Sequence, residues 1–527
     1  MKFSCLKSRT ALAGRRLLCL GFAVVSLFVT ACVSGPRTAP PPHVEARLKA
    51  GEGAFLVRVV ANAPTAGPYF KNWADLIVVG VQPDGSNGSQ YTVPASLDAS
   101  SRSALFVASL PPGQYRLAKL SSASRGPAGT WSQWIDVGLR FPRFEVHLGQ
   151  LTDLGAVVQT MQPGTSKSVE LGYDAVPDHE IASDLVRELA PRFGSFLDKP
   201  LLGWSNDTAR ALARTTDGLA SFTSVGIADP HVLPDGRLIA GSYDGMVKTG
   251  VPGSRAQLHD IGQRVSVEAV ALLPDASWVA AGEYGVIRLS RDDGASWISV
   301  HGDLPYGLVC SVHAVAGQLV ATVLRADRAI VASTVLGADP SPHWTVRATY
   351  TLKSGPFWQF ASGYAARSFI VGDQVVTALP ADFIGIWDPK TGESIERKLP
   401  DTVERFAAPG GDTLRFMSIS GMFANSTYVS SNLGVTWEKL PTLPFIWGIA
   451  LSDASHGVGW AAGLQIGTGN FFKTADGGRT WTQSREERTV VPEIILDKVR
   501  GIAYAIDSNG SLWMGKDDAS NWERIVF

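Results

Sequence analysis

Two neighbouring pairs open the search for chemistry, His179-Glu180 and His259-Asp260. An imidazole beside a carboxylate is the equipment of general-base catalysis and of many metal sites. Adjacent residues on a strand point to opposite faces, however, so neither pair converges if it lies in one. Spacings with stronger meaning are missing: there is no GxSxG, no HExxH, no phosphate-binding loop and no CxxC. The reading therefore assigns no catalytic residue, no metal site and no cofactor. A glycosidase needs only two carboxylates across a cleft, and 48 acidic residues leave that choice open.

The elements that would position a site are repeated. S-R-D-D-G-A-S-W (290–297), S-S-N-L-G-V-T-W (430–437) and T-A-D-G-G-R-T-W (474–481) share hydroxyl, any, Asp or Asn, any, Gly, any, hydroxyl, Trp. Worn copies stand at 215–222 and 515–522. Trp437 and Trp481 are 44 residues apart, and Trp481 and Trp522 are 41 apart. VLPDGRLIAGSYDGMVK, from Val232, returns as LLPDASWVAAGEYGVIR after a shift of 40. Short strands on a period near 40 predict β-propeller blades.

The three clear copies resemble the Asp-box, or BNR repeat, of sialidases, sortilin-type receptors, some xyloglucanases and photosystem II assembly-factor propellers. The resemblance implies a propeller and leaves activity open, because these families do unrelated things. It also implies structural tasks within the turn joining the third and fourth strands of a blade. Asp292, Asn432 and Asp476 accept backbone N–H groups, and Gly294, Gly434 and Gly478 take positive φ. Trp297, Trp437 and Trp481 wedge between blades. Sialidases carry an Arg-Ile-Pro type motif near the propeller start. Here Pro191-Arg192-Phe193 does not match it, so sialidase activity is disfavoured.

Turns near 218, 251, 293, 338, 391, 433, 477 and 518 mark the blades. They predict eight if the segment 201–225 forms a whole blade. Seven follow if it only completes the ring with the terminal ERIVF; eight is the reading favoured. First strands line the channel, and the loops before them ring one mouth. LPYGLV (304–309), GPFWQF (355–360), LPFIWGI (443–449) and VVPEII (490–495) enter such strands. Tyr306, Trp358 and Trp447 are thus candidates for an aromatic rim, with Arg264, Arg405 and Glu493 as polar neighbours.

Upstream, residues 53–162 hold short β-rich runs separated by turn signals, a predicted β-sandwich. LPPGQYRLAKL and RFEVHLGQLTDLGAVV resemble small bacterial sandwich modules that accompany surface proteins. Residues 163–193 read as a linker with an amphipathic helix, where Ile181, Leu185, Leu189 and Phe193 recur every fourth position. The propeller is expected over 194–527.

The first 31 residues read as a signal peptide. Five basic residues precede a fifteen-residue apolar run at 17–31, too short for a comfortable span. V-T-A-C (29–32) resembles the bacterial lipobox, which implies lipidation at Cys32, and Val33 in place of Asp favours the outer membrane. A Pro-rich tether follows at 32–52. Past the signal only Cys310 accompanies Cys32, so no intrachain disulfide is expected. Without the five leading cations, 42 Lys plus Arg stand against 48 Asp plus Glu, which excludes a nucleic-acid footprint. The expected protein is an outer-membrane-anchored binding or assembly module with a protein or glycan ligand. The alternative is a propeller-type carbohydrate-active enzyme.

Overall fold

The computed structural model describes residues 51–527 except 63–73, 97–102, 127–128, 138–140, 162–168, 175–178, 205–227, 243–244, 326–327, 338–340, 353–366, 380–382, 408–411, 420–424, 442–445, 463–468, 488–492, 507–511, 517–520 and 526. The signal and lipobox readings, with Cys32, and the tether as far as residue 50 lie outside the described residues. Among the described residues no helix is long and apolar enough to cross a membrane.

Nine strands build the N-terminal module: β1 (Gly53–Asn62), β2 (Asp75–Val81), β3 (Asn87–Ser96), β4 (Ala104–Leu110), β5 (Gly113–Gly126), β6 (Gly129–Asp136), β7 (Arg143–Val146), β8 (Leu151–Met161) and β9 (Val169–Asp174). The pairing order is β6-β5-β2-β3-β4-β1-β8-β9, with β7 added on β5. The end of β3 crosses over: Ala95 and Ser96 pair with Phe106 and Leu105 of β4, while the rest of the strand pairs with β2. Two sheet halves thus fold over one core. Phe55, Val57 and Val59 of β1 and Phe106 of β4 meet Leu76, Val78, Leu117 and Phe144 inside it. The sheet runs past residue 162 into β9. Trp204 also belongs to this core, edge-on to Phe144 and donating to Leu154 O at 2.8 Å.

Period two gives β1 and β4 a second face, and it too is apolar. Ala54, Leu56, Leu105 and Val107 pack on Ile181, Leu185 and Val186 of helix α1 (His179–Leu189). The expected helix ends there. Pro191–Phe196 continues as a 3-10 turn that buries Phe193 and Phe196. The same cluster takes in Leu233, Ile239, Val247 and Val267 of the propeller, so α1 fills the seam between modules rather than crossing a gap.

The propeller has seven four-stranded sheets among the described residues, each antiparallel and contiguous in sequence. Blades 1 to 7 span 228–260, 267–299, 308–351, 367–398, 403–440, 446–487 and 493–525. This corrects the favoured count of eight. Blade 7 packs directly on blade 1: Tyr504, Ile506 and Leu512 meet Leu238 and Ala240, and Arg500 Nη2 donates to Pro234 O at 3.0 Å. That contact closes the ring. The eighth turn, near 218, lies outside the described residues.

The sandwich docks over blades 1 and 2 through a buried carboxylate. Glu283, fully buried, joins the second and third strands of blade 2. It accepts from Ser103 N and Ser103 Oγ, both at 2.7 Å, and from Ser266 N at 2.9 Å. Arg58 Nη1 adds a bond to Arg264 O at 3.0 Å, and Arg325 Nη2 reaches Glu188 of α1 at 2.7 Å. In Glu283→Gln an amide donor faces N–H and O–H donors. Urea unfolding is expected to show a loss of about 1–3 kcal/mol, with faster amide exchange at Ser103 and Ser266.

Candidate functional site

The repeated turns use one bonding scheme. Ser290 Oγ donates to Asp292 Oδ1 at 2.9 Å and accepts from Gly294 N at 2.8 Å. Asp292 then accepts Ser296 N at 2.8 Å and Ser296 Oγ at 2.5 Å. Thr474, Asp476, Gly478 and Thr480 repeat these bonds at 2.9, 2.8, 2.8 and 2.6 Å. Asn432 does the same with an amide: Oδ1 accepts Thr436 N at 3.0 Å, and Nδ2 donates to Thr436 Oγ1 at 2.9 Å. Gly294, Gly434 and Gly478 sit at φ +85, +79 and +85. These side chains are occupied with closing their own turns and are poorly placed for chemistry.

Each turn also grips the blade before it. His259 Nδ1 of blade 1 bonds Gly294 O at 3.2 Å. Arg397 Nη1 of blade 4 reaches Leu433 O at 2.5 Å, and Arg415 Nη2 of blade 5 reaches Gly477 O at 2.8 Å. The tryptophans follow suit. Trp297 packs into a cluster with Ile239 and Val247 of blade 1. Trp437 joins Val376 and Ile384 of blade 4, and Trp481 joins Met417 of blade 5.

The channel is framed by the first strand of each blade, and neighbouring first strands adjoin around much of the ring. The proposed rim is not open there. Tyr306 is buried, stacked on Tyr284 with centroids 6.1 Å apart, in the cluster that includes α1 and the sandwich. This corrects its reading as part of an aromatic rim at the channel mouth: docking covers that part of the mouth. Arg264 pairs both guanidinium ends with Asp260, at 2.7 and 2.8 Å, beneath the docked sandwich. Trp358 lies outside the described residues. Arg405, Trp447 and Glu493 lie on first strands of blades 5, 6 and 7, but their side chains lie outside the described set. The backbone pairing skips Trp447 at a β-bulge, between Ile446 and Gly448.

What the structure brings together instead is polar and belongs to blades 1 to 4. Asp229 and His231 lie two apart on the first strand of blade 1, with Nε2 to Oδ2 at 3.1 Å. Val270 N of blade 2 donates to Asp229 Oδ2 at 3.1 Å. His313 of blade 3 donates from Nε2 to Ser368 O of blade 4 at 2.8 Å, since a carbonyl only accepts. Ser311 Oγ accepts Ser368 N at 2.9 Å. Burial would raise the Asp229 carboxyl, but the charge and hydrogen bond of His231, then the charge of Arg367, hold it well below the usual range. Burial lowers His313, partly offset by its bond to Ser368 and by Asp229. Burial pushes the Cys310 thiol up to about 12. A carboxylate so firmly ionised accepts hydrogen bonds and cations and is unsuited to giving up a proton at neutral pH.

Two sequence signals could have found this set. A-D-P-H-V and S-V-H-A place polar residues at i and i+2, hence on one strand face. Bulges at Ala228/His231, Val267/Ala269 and Val309/Ser311 re-aim those faces, and no sequence pattern announces them.

No family model and no curated protein matches the chain. Among solved structures it is similar to YCF48 bound to a D1 peptide, at 14% identity and TM-score 0.43, over 58% of this chain and 94% of that one. YCF48 from Cyanidioschyzon merolae is similar at 14% and 0.43, over 56% and 97%. The β-propeller domain of Cps50 (Swd1) from Myceliophteria thermophila follows at 15% and 0.38, over 55% and 96%.

The turns carry a testable signature. The Thr480 hydroxyl, then its N–H, lowers Asp476 from 3.8 to about 2. A depressed carboxyl pKa contributes stability that is full above pH 4 and is lost as pH falls toward 2. Asp476→Ala is expected to lower Tm at pH 7 and to narrow its gap from wild type between pH 4 and 2. Asp476→Asn, which copies Asn432, should lower Tm less than Asp476→Ala.

Proposed function

We propose that this chain is an outer-membrane lipoprotein, anchored through Cys32, whose Asp-box propeller binds a polar segment of a partner protein. The carrying observation is the channel set of Asp229, His231, His313 and Arg367, four ionisable groups on strands of three blades. Mixed charges held on a rigid ring suit recognition of a polar chain segment. The docked sandwich supports a scaffold role. Its buried seam with blades 1 and 2 joins the two modules through a shared apolar cluster and the Glu283 hydrogen bonds. The Pro-rich stretch then serves as a spacer between lipid and body.

Affinity capture of the mature lipoprotein from its own envelope tests the binding reading. Asp229→Ala with His231→Ala is expected to lose the captured partner while leaving Tm within a few degrees. Unchanged capture would remove the channel from the proposal. Cys32→Ala should move the protein from the membrane to the soluble fraction, and retention in the membrane would sink the anchor.

A further inference from the structure

A polar cleft of about 380 Å³ lies between blades 5 and 6, beside the repeated turns at 430–437 and 474–481. Thr413, Arg415, Ser431, Thr436, Glu438 and Arg479 wall it. Arg415 is only 4% exposed. Its Nη2 donates to Gly477 O at 2.8 Å, while Nε and Nη1 are buried with no partner. Taking a charge out of water is costly unless a counter-charge or full hydrogen bonding replaces the water. The walls do not supply either. Glu438 gives both oxygens to Arg479 Nη2, at 2.8 and 2.7 Å. Burial, then the like charge of Arg479, pushes Arg415 down to about 10, which leaves it a cation at neutral pH.

Gly478 makes room for this guanidinium. A Cβ there would stand 2.7 Å from Arg415 Nη1. The equivalent Gly294 and Gly434 face His259 and Ile384 instead, so the arginine is particular to this cleft and no general part of the turn.

We propose that the cleft between blades 5 and 6 is a binding site for a carboxylate monoanion, with Arg415 as its charged ligand and the hydroxyls of Thr413 and Ser431 as neutral partners. One uncompensated positive charge calls for one negative charge, and Glu438 in the wall opposes a dianion. The volume exceeds a bare carboxylate and accommodates a small organic acid or the end of an acidic side chain. The site is separate from the channel and does not rest on the reading of function above.

The test uses the full-length protein at pH 7.5, titrated with sodium acetate against sodium chloride at constant ionic strength. Acetate is expected to raise Tm and to shift the Arg415 Nε–H resonance in ¹⁵N-arginine-labelled protein. Both responses should vanish in Arg415→Met. A terminally blocked glutamate peptide is titrated in parallel. A response to acetate alone identifies a free acid as the ligand, and a response to both identifies a protein side chain. No Arg415-dependent response to either probe, or an equal Tm rise in Arg415→Met, overturns the site. If the variant does not fold, the Nε–H resonance of the wild type decides alone.

Discussion

Every blade of this propeller is a small sheet with apolar residues on both faces, and that constraint governs the rest of the structure. In blade 2 all five residues of Trp278–Gly282 are buried, and in blade 1 so are all four of Leu238–Gly241. Such a sheet cannot stand in water alone. It needs a neighbour on each face, and a ring is the arrangement that supplies both to every member. The ring closes where blade 7 meets blade 1, by apolar packing and the Arg500 bond to Pro234. Among the described residues no strand is exchanged between the two blades.

The repeated turns are the rivets of that ring. Asp292, Asn432 and Asp476 hold each loop rigid, so that one carbonyl is presented to the preceding blade and one tryptophan fills the seam. An acid that accepts three hydrogen bonds within its own turn has little capacity left for a substrate. Where the side chain facing the turn glycine is an arginine, as Arg415 is at Gly478, rather than His259 or Ile384, the same geometry leaves a cation with unspent donors. Chemistry thus arises at the exception to the repeat and not in the repeat itself.

The docked sandwich changes the meaning of one mouth of the channel. β1 and β4 have two apolar faces, and the second is satisfied only against α1 and blades 1 and 2. Glu283 is the polar centre of that contact, accepting from residues of both modules. Tyr284, Tyr306 and Arg264 are consumed there, which moves attention from an aromatic rim to the polar groups farther along the first strands.

Period and turn chemistry were legible in the residues, because hydroxyl-x-Asp-x-Gly-x-hydroxyl-Trp is satisfied locally, within eight positions. The helix at 179–189 was legible for a similar reason: its apolar stripe recurs every fourth residue. The sequence by itself therefore determined the mainly β class, the blade repeat and the structural duty of the repeated acids. Only the tertiary structure decided that the blades number seven, because closure depends on how residues far apart in the chain pack against each other. It alone buried Tyr306, since covering that mouth required a face of β1 and β4 that alternation shows to be apolar but does not assign to a partner. It also set Asp229 by His231 and left Arg415 short of a counter-ion. Both outcomes depend on distances between charges, and spacing along the chain does not encode them.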